Sequence, residues 1–72
     1  MKRRYMARMI IEVKVPDAKD PENGHMVLEW LTAQGKKPDK HYDIDMHGGQ
    51  KGYTSFWFKD RLLAIRTQLI WG

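Results

Sequence analysis

Histidine and aspartate alternate along one short segment of the chain, in the order His41, Asp43, Asp45 and His47. Imidazole and carboxylate groups are ligands for Zn²⁺ or Mn²⁺, and neighbouring pairs of them can act as general acid and base. Alternate residues of a strand lie about 7 Å apart on one face, so four groups along one strand cannot all reach one ion. We therefore expect the solvated face of a strand here, with no metal site and no cofactor.

The hydroxyl residues nearest in sequence to this segment do not form a nucleophile motif. Thr54 and Ser55 lie within an alternating strand pattern, whereas a catalytic serine commonly sits on a sharp turn between a strand and a helix. The glycine-rich segment 48–52 leads into a strand, and a phosphate-binding loop leads into a helix. We therefore predict that the protein is not an enzyme.

Size and composition limit the number of domains and the interactions that can stabilise the fold. The chain has 72 residues, with three Trp, three Tyr, two Phe and no Cys. A chain of this length buries only about 60% of the surface of its unfolded form, so apolar packing must stabilise it. We predict a single domain over residues 1–72, in which residues 1–4 form a flexible basic arm.

Charge and hydropathy bear on the compartment. The 13 Lys and Arg residues exceed the 9 Asp and Glu residues, which gives a net charge of +4 spread along the chain. No apolar run approaches the roughly 20 residues needed to span a bilayer. Arg8 interrupts the segment that would have to be apolar in an export signal. We expect a cytoplasmic protein that does not bind membranes.

Periodicity and helix signals predict the first two elements. Alternating polarity favours a strand at residues 6–15. A helix is predicted at residues 21–34, because Asp20 can cap it, Pro21 suits its first position and Gly35 can end it.

The second half of the chain predicts a hairpin and a helix. Strands are predicted at residues 41–46 and 53–59, and the glycine-rich loop between them favours an antiparallel pairing. Asp60 then caps a last helix that runs to residue 66. Periodicity leaves residues 67–71 open between a short final strand and a continuation of that helix.

The order β-α-β-β-α, with an optional final strand, predicts an α+β fold with both helices on one face of an antiparallel sheet. Our first choice is the ferredoxin-like split βαβ sandwich. Met46 continues the inward pattern of its strand and is expected inside. The other residues expected between sheet and helices are Ile11, Val13, Val27, Trp30, Leu31, Tyr42, Ile44, Phe56, Phe58, Leu62, Leu63 and Leu69.

The C-terminal half also resembles a known group of proteins. Residues 53–60, Tyr-Thr-Ser-Phe-Trp-Phe-Lys-Asp, run an aromatic strand into an Asp cap, and Ala64, Leu69 and Trp71-Gly72 follow. This pattern is similar to small uncharacterised accessory proteins of tailed bacteriophages, although Thr67 stands where their pattern has Phe. The resemblance implies a ferredoxin-like fold and a location in the cytoplasm of an infected bacterial host. It implies no catalytic residues.

A second resemblance lies in residues 51–58, which are similar to the RNP1 strand of RNA-recognition motifs. In that family, aromatic residues on the open face of the sheet stack on bases. The resemblance implies a nucleic-acid site formed by Lys51, Tyr53 and Trp57. The first strand carries no aromatic residue where the companion RNP2 strand of that family has one.

Three functions follow as hypotheses. The first is a non-enzymatic phage accessory protein that binds and modulates or inhibits a bacterial host protein, such as a defence effector, polymerase or nuclease. The alternatives are a single-stranded nucleic-acid-binding domain and a small homodimeric structural or assembly protein. Exposed Trp, Tyr and Arg are typical of binding hot spots. The partner-binding residues that we predict are Trp57, Tyr53, Arg8, Lys14 and Arg66.

Overall fold

The computed structural model describes residues 9–72. Arg8, the basic arm at residues 1–4 and the start of the predicted first strand lie outside the described residues. The elements in chain order are β1 (Ile11–Pro16), α1 (His25–Ala33), β2 (Tyr42–Asp45), β3 (Tyr53–Phe58) and α2 (Arg61–Trp71), with a 3-10 turn at His47–Gly49 between β2 and β3.

The strands form one sheet in the order β1-β3-β2. The central strand β3 is antiparallel to both neighbours, so β1 and β2 run in the same direction. The prediction of an α+β fold with an antiparallel sheet and two helices is therefore confirmed. The finer assignment to the ferredoxin-like arrangement stays a prediction.

The core lies between one face of the sheet and the two helices. Val13 and Phe56 are partners across β1 and β3, and both belong to one buried cluster with Val27 of α1 and Leu63 of α2. On the same face, the ring of Tyr42 lies 6.2 Å from that of Phe56. Both helices therefore cover the same face, which leaves the other face of the sheet uncovered by either of them.

Helix α1 begins four residues later than predicted. It starts at His25 rather than Pro21, and its N-cap is Gly24, which has a left-handed backbone and no capping side chain. The carboxylate of Asp20, which is 1% exposed, accepts hydrogen bonds from the backbone N–H of Glu22 at 3.1 Å and of Val27 at 3.0 Å. Asp20 thus caps the helix as predicted, but it does so from outside the N-cap position, across an intervening turn.

The end of α1 agrees with the prediction. Gly35 has a φ of 78°, and its N–H donates to the carbonyl of Thr32 while the N–H of Lys36 donates to that of Leu31. These two bonds form a Schellman motif, in which a residue with positive φ ends the helix.

Helix α2 resolves the alternative left open for the last residues, because it continues to Trp71. Its buried residues are Leu63, Ala64 and Thr67. The hydroxyl of Thr67 donates to the carbonyl of Leu63 at 2.8 Å, so this buried polar group is satisfied within the helix. At the end of α2, the ring of Trp71 packs edge-on against Trp30 at 6.2 Å.

Several apolar residues predicted to be inside are exposed. Leu62 and Leu69 are 70% and 78% exposed, because the helix turns Leu63, Ala64 and Thr67 toward the sheet instead. Met46 is 51% exposed, because β2 ends at Asp45 and its inward alternation does not extend further.

Candidate functional site

The sheet face opposite the helices is here called the open face. The cross-strand pairs identify the residues of this face. Glu12 pairs with Trp57, and Lys14 and Asp45 both pair with Ser55. Its residues are Glu12, Lys14, Asp43, Asp45, Tyr53, Ser55 and Trp57. Tyr53 and Trp57 are among them, and the strand residues expected inside, such as Val13 and Phe56, lie on the other face as predicted.

Trp57 lies at the centre of one row of the open face. Its partner on β1 is Glu12 and its partner on β2 is Asp43, and side chains directly opposite on neighbouring strands have Cβ atoms about 5 Å apart. Trp57 is half-buried. An indole with a carboxylate residue on either side offers an apolar surface to the alkyl part of a ligand and negative charge to a cationic end.

Asp43 is less exposed than the sequence predicted, since it is only 9% accessible. One of its carboxylate oxygens accepts a hydrogen bond from the N–H of Ile44 at 2.9 Å. The row that contains Trp57 is thus partly enclosed rather than fully solvated.

A chain of polar contacts crosses the open face beside Trp57. The hydroxyl of Ser55 donates to Oε2 of Glu12 at 2.6 Å, and Nε2 of His47 lies 2.8 Å from the same hydroxyl oxygen. Because the Ser55 proton is directed at Glu12, its oxygen accepts the N–H of His47. Asp45 completes the chain, with Oδ1 3.6 Å from Nδ1 of His47 and 3.0 Å from its backbone N–H.

Serine, histidine and aspartate in this sequence of contacts are the residue types of a nucleophile, a base and its orienting acid. In this geometry, however, the Ser55 hydroxyl donates to Glu12 rather than to His47, and Ser55 is 0% exposed. A substrate carbonyl therefore has no access to the oxygen in this conformation. The contacts orient Glu12 and His47 on the face.

Tyr53 lies at the end of the open face where β3 begins. The ammonium group of Lys14 lies 5.3 Å from the centre of its ring, a distance at which a cation is attracted to the aromatic face. The ring of His47 meets Tyr53 edge-on at 4.9 Å. Lys14 is therefore engaged within the face, and its charge partly offsets the neighbouring carboxylates.

The four His and Asp residues do not form one row. Asp43 and Asp45 lie on β2, whereas His41 precedes the strand and His47 belongs to the 3-10 turn. Nδ1 of His41 accepts a hydrogen bond from the N–H of Lys37 at 2.9 Å. Within residues 9–72, no three His, Asp or Glu side chains are grouped closely enough to hold a metal ion.

The predicted partner-binding residues are only partly brought together. Trp57, Tyr53 and Lys14 share the open face. Arg66 is exposed on α2, which packs on the opposite face of the sheet, so it does not join them. Lys51 is exposed in the loop before β3, and Arg8 lies outside the described residues.

The link between Ser55 and Glu12 was missed at the level of sequence. The two residues are 43 positions apart, and alternation assigns both to the outer face without stating the register of the strands. The register of β1 and β3, in which Lys14 lies opposite Ser55, places Glu12 within hydrogen-bonding distance of Ser55.

The described part of the open face carries three carboxylates, those of Glu12, Asp43 and Asp45, against the single ammonium group of Lys14. The face is therefore acidic although the whole chain has a net charge of +4. A surface of this sign attracts cationic groups and repels phosphates.

No family model, curated protein or solved structure matches the chain. Among the described residues, no helix has the length and hydropathy required to cross a bilayer.

Proposed function

We propose that this protein is a non-enzymatic accessory protein that binds a bacterial host protein through its open face and so modulates or inhibits it. The observation that carries the proposal is the position of Trp57 between Glu12 and Asp43 on that face. We place its action in the cytoplasm of a phage-infected host, on the strength of the resemblance of the C-terminal half to phage accessory proteins.

The chemistry of the face identifies the kind of surface that the partner presents. A guanidinium or ammonium group over an indole gains about 0.5–2 kcal/mol, with more when the pair is desolvated. Glu12 lies beside the indole and is held by Ser55, so it can pair with the same cation. An Arg or Lys side chain of the host protein, seated on Trp57 and paired with Glu12, would form the centre of the interface.

The scaffold that we propose for this face is a ferredoxin-like split βαβ sandwich without a fourth strand. The support is the order β1-β3-β2 together with the crossover helix α1 between β1 and β2. Since residues 61–71 are helical, one long edge of the sheet stays available beside β1 among the described residues.

One observation supports the nucleic-acid alternative. Tyr53 and Trp57 lie on the same face of the sheet, as residues that stack on bases must. The carboxylates of Glu12, Asp43 and Asp45 lie on the same face and would repel the phosphates of a bound strand. Binding of a single-stranded oligonucleotide that weakens steeply with salt would favour this alternative over a protein partner.

The proposal is tested by capturing partners from bacterial lysate with the wild-type chain, Trp57→Ala and Glu29→Ala. Glu29 is exposed on α1 and therefore controls for the loss of a side chain away from the open face. We expect a host protein that is retained by the wild type and by Glu29→Ala and is lost with Trp57→Ala.

A second variant separates loss of binding from loss of folding. Glu12→Gln removes the charge but keeps an oxygen that accepts the hydrogen bond of Ser55. We expect it to fold like the wild type by circular dichroism and to bind the captured, purified protein more weakly. Equal affinity of wild type, Trp57→Ala and Glu12→Gln for that protein would contradict the proposal.

A further inference from the structure

Helix α2 exposes an apolar stripe on the side that faces away from the sheet. Leu62, Ile65 and Leu69 are 70%, 48% and 78% exposed. Their spacing of three and then four residues places them on one face of the helix. We call these three residues the outer stripe.

The outer stripe is separate from the side of α2 that packs in the core. Leu63, Ala64 and Thr67 are the buried residues of the helix, and they lie on the opposite side of it. The helix is therefore apolar on both sides. A helix with this distribution is normally enclosed by protein on both sides, but here only the inner side is covered by the described residues.

A groove runs beside the outer stripe, between α2 and the edge strand β1. Its volume is about 360 Å³. Ile11, Glu12 and Val13 form the wall on the strand, and Ala64, Ile65 and Leu69 form much of the wall on the helix. The stripe and the groove are continuous through Ile65 and Leu69, so one bound element can contact both.

The residues that flank the outer stripe are basic or neutral. If Leu62, Ile65 and Leu69 are assigned to the a, d and next a positions of a heptad, Arg61 and Gln68 fall at g and Arg66 falls at e. Positions e and g select the partner of a helix by charge. The sequence of α2 contains no acidic residue. Its two arginines outnumber Glu12, the carboxylate residue that lines the groove among the described residues, so the site favours an acidic partner.

The same flanks disfavour a second copy of this chain as the occupant. A parallel pair of α2 helices would place Arg61 of each copy beside Arg66 of the other, since g and e positions meet in that arrangement. An antiparallel pair centred on Ile65 would bring the two Arg66 side chains together. Like charges at these positions oppose association.

We infer that the outer stripe and its groove form a docking site for an amphipathic helix of another protein, with acidic residues on both sides of its apolar stripe. An α2 of 11 residues is about 16 Å long, which matches about three turns of a partner helix. This site lies on the helix layer of the fold and shares Glu12 of β1 with the open face, but its apolar contacts do not depend on the function proposed for that face.

The test uses two synthetic helical peptides of four heptads with Leu at a and d. One peptide carries Glu at e and g, and the other carries Lys at the same positions. Fluorescence anisotropy of the labelled peptides against the full chain, at low salt, gives the two affinities. We expect the Glu peptide to bind about fivefold more tightly than the Lys peptide, because Arg61 and Arg66 attract the Glu side chains and repel the Lys side chains.

Variants of exposed residues keep the test independent of folding. Leu62→Gln and Leu69→Gln alter side chains that are largely in solvent, and both are expected to weaken binding of the Glu peptide. Met46→Gln is the matched control, because Met46 is also exposed but lies beyond β2 at the other edge of the sheet. The double variant Arg61→Glu with Arg66→Glu is expected to reverse the preference between the peptides.

Three results would overturn the inference. The first is equal affinity for the two peptides, and the second is binding of the Glu peptide that Leu62→Gln and Met46→Gln affect alike. The third is a dimer, seen by light scattering of the wild-type chain, that becomes a monomer in Leu69→Gln, because a second copy would then be the occupant of the stripe.

Discussion

Ser55 and Glu12 are joined across the sheet by a hydrogen bond of 2.6 Å from the Ser55 hydroxyl to the Glu12 carboxylate. The bond runs diagonally, since the direct partner of Ser55 on β1 is Lys14 and that of Glu12 is Trp57. It fixes a carboxylate beside the indole of Trp57. The acidic character of the open face is therefore held in place by a fully buried hydroxyl.

Loss of this hydroxyl should destabilise the protein. Ser55→Ala leaves the N–H of His47 Nε2 without its acceptor in a partly enclosed site, and an unsatisfied group of this kind costs about 1–3 kcal/mol. Chemical denaturation by urea measures the change in the free energy of unfolding. Glu12→Gln is the control, because it preserves an acceptor for Ser55. A loss in Glu12→Gln as large as in Ser55→Ala would show that charge, not the hydroxyl, stabilises this region.

Asp20 should matter more for stability than the ordinary cap of the second helix. Asp20→Ala removes the acceptor of two backbone N–H groups at a site that is 1% exposed. Each buried donor left without an acceptor costs about 1–3 kcal/mol, and water offsets part of that cost. We therefore expect the free energy of unfolding to fall by about 2–4 kcal/mol. Asp60→Ala removes one capping bond at an exposed site, for which about 1 kcal/mol is typical. Equal unfolding free energies for the two variants would contradict the buried capping role of Asp20.

Gly24 and Gly35 offer a matched comparison of backbone strain and packing. Both have positive φ, 94° and 78°, so Ala at either position is strained by about 1–2 kcal/mol. A Cβ at Gly24 would lie 3.0 Å from Cγ2 of Thr54, whereas one at Gly35 would meet nothing within 4 Å. We expect Gly24→Ala to lower the thermal midpoint more than Gly35→Ala, and the reverse order would contradict the close approach of α1 to β3.

His41 should make the stability of the protein depend on pH. Burial and the nearby ammonium groups of Lys36, Lys40, Lys59 and Lys37 lower the pKa of His41 from its ordinary value of 6.5. Below pH 6.5 the unfolded chain then binds a proton that the folded chain does not, so stability decreases as the pH falls through the folded pKa.

The matched variant for this effect is His41→Asn, which keeps an acceptor for the N–H of Lys37 but does not titrate. Thermal midpoints of the two proteins between pH 7.5 and pH 5, a range around the ordinary pKa of about 6.5, give the contribution of His41. We expect the wild type to lose more stability than His41→Asn toward low pH. Parallel curves would show that the lowered pKa of His41 has no effect on folding.

Alternation and capping predicted much of this fold because those signals are local. The two faces of β1 and β3 follow from the period of two, and Asp60 caps α2 as its position indicated. The start of α1 was wrong by four residues, because Asp20 and Pro21 satisfy the local rules for a helix start while the chain makes an additional turn before Gly24.

The rest depended on contacts that no local pattern contains. Packing against the sheet determines which side of α2 faces inward. Leu63 and Ala64 are therefore buried while Leu62 is exposed. Both sides of α2 are apolar, and periodicity alone could not choose between them. Likewise, the link between Ser55 and Glu12 follows from the register of β1 and β3, which the sequence does not state.

The central claim, that the open face binds a cationic protein surface on Trp57, is tested most directly by NMR of the indole N–H groups. The chain has three Trp residues, so the ¹H–¹⁵N spectrum gives one indole signal for each, and Trp57→Phe assigns the relevant one. Titration with an arginine-rich peptide should shift the Trp57 signal and leave those of Trp30 and Trp71 in place. A Trp57 signal that does not move with this peptide, or that moves further with a single-stranded oligonucleotide, would contradict the account.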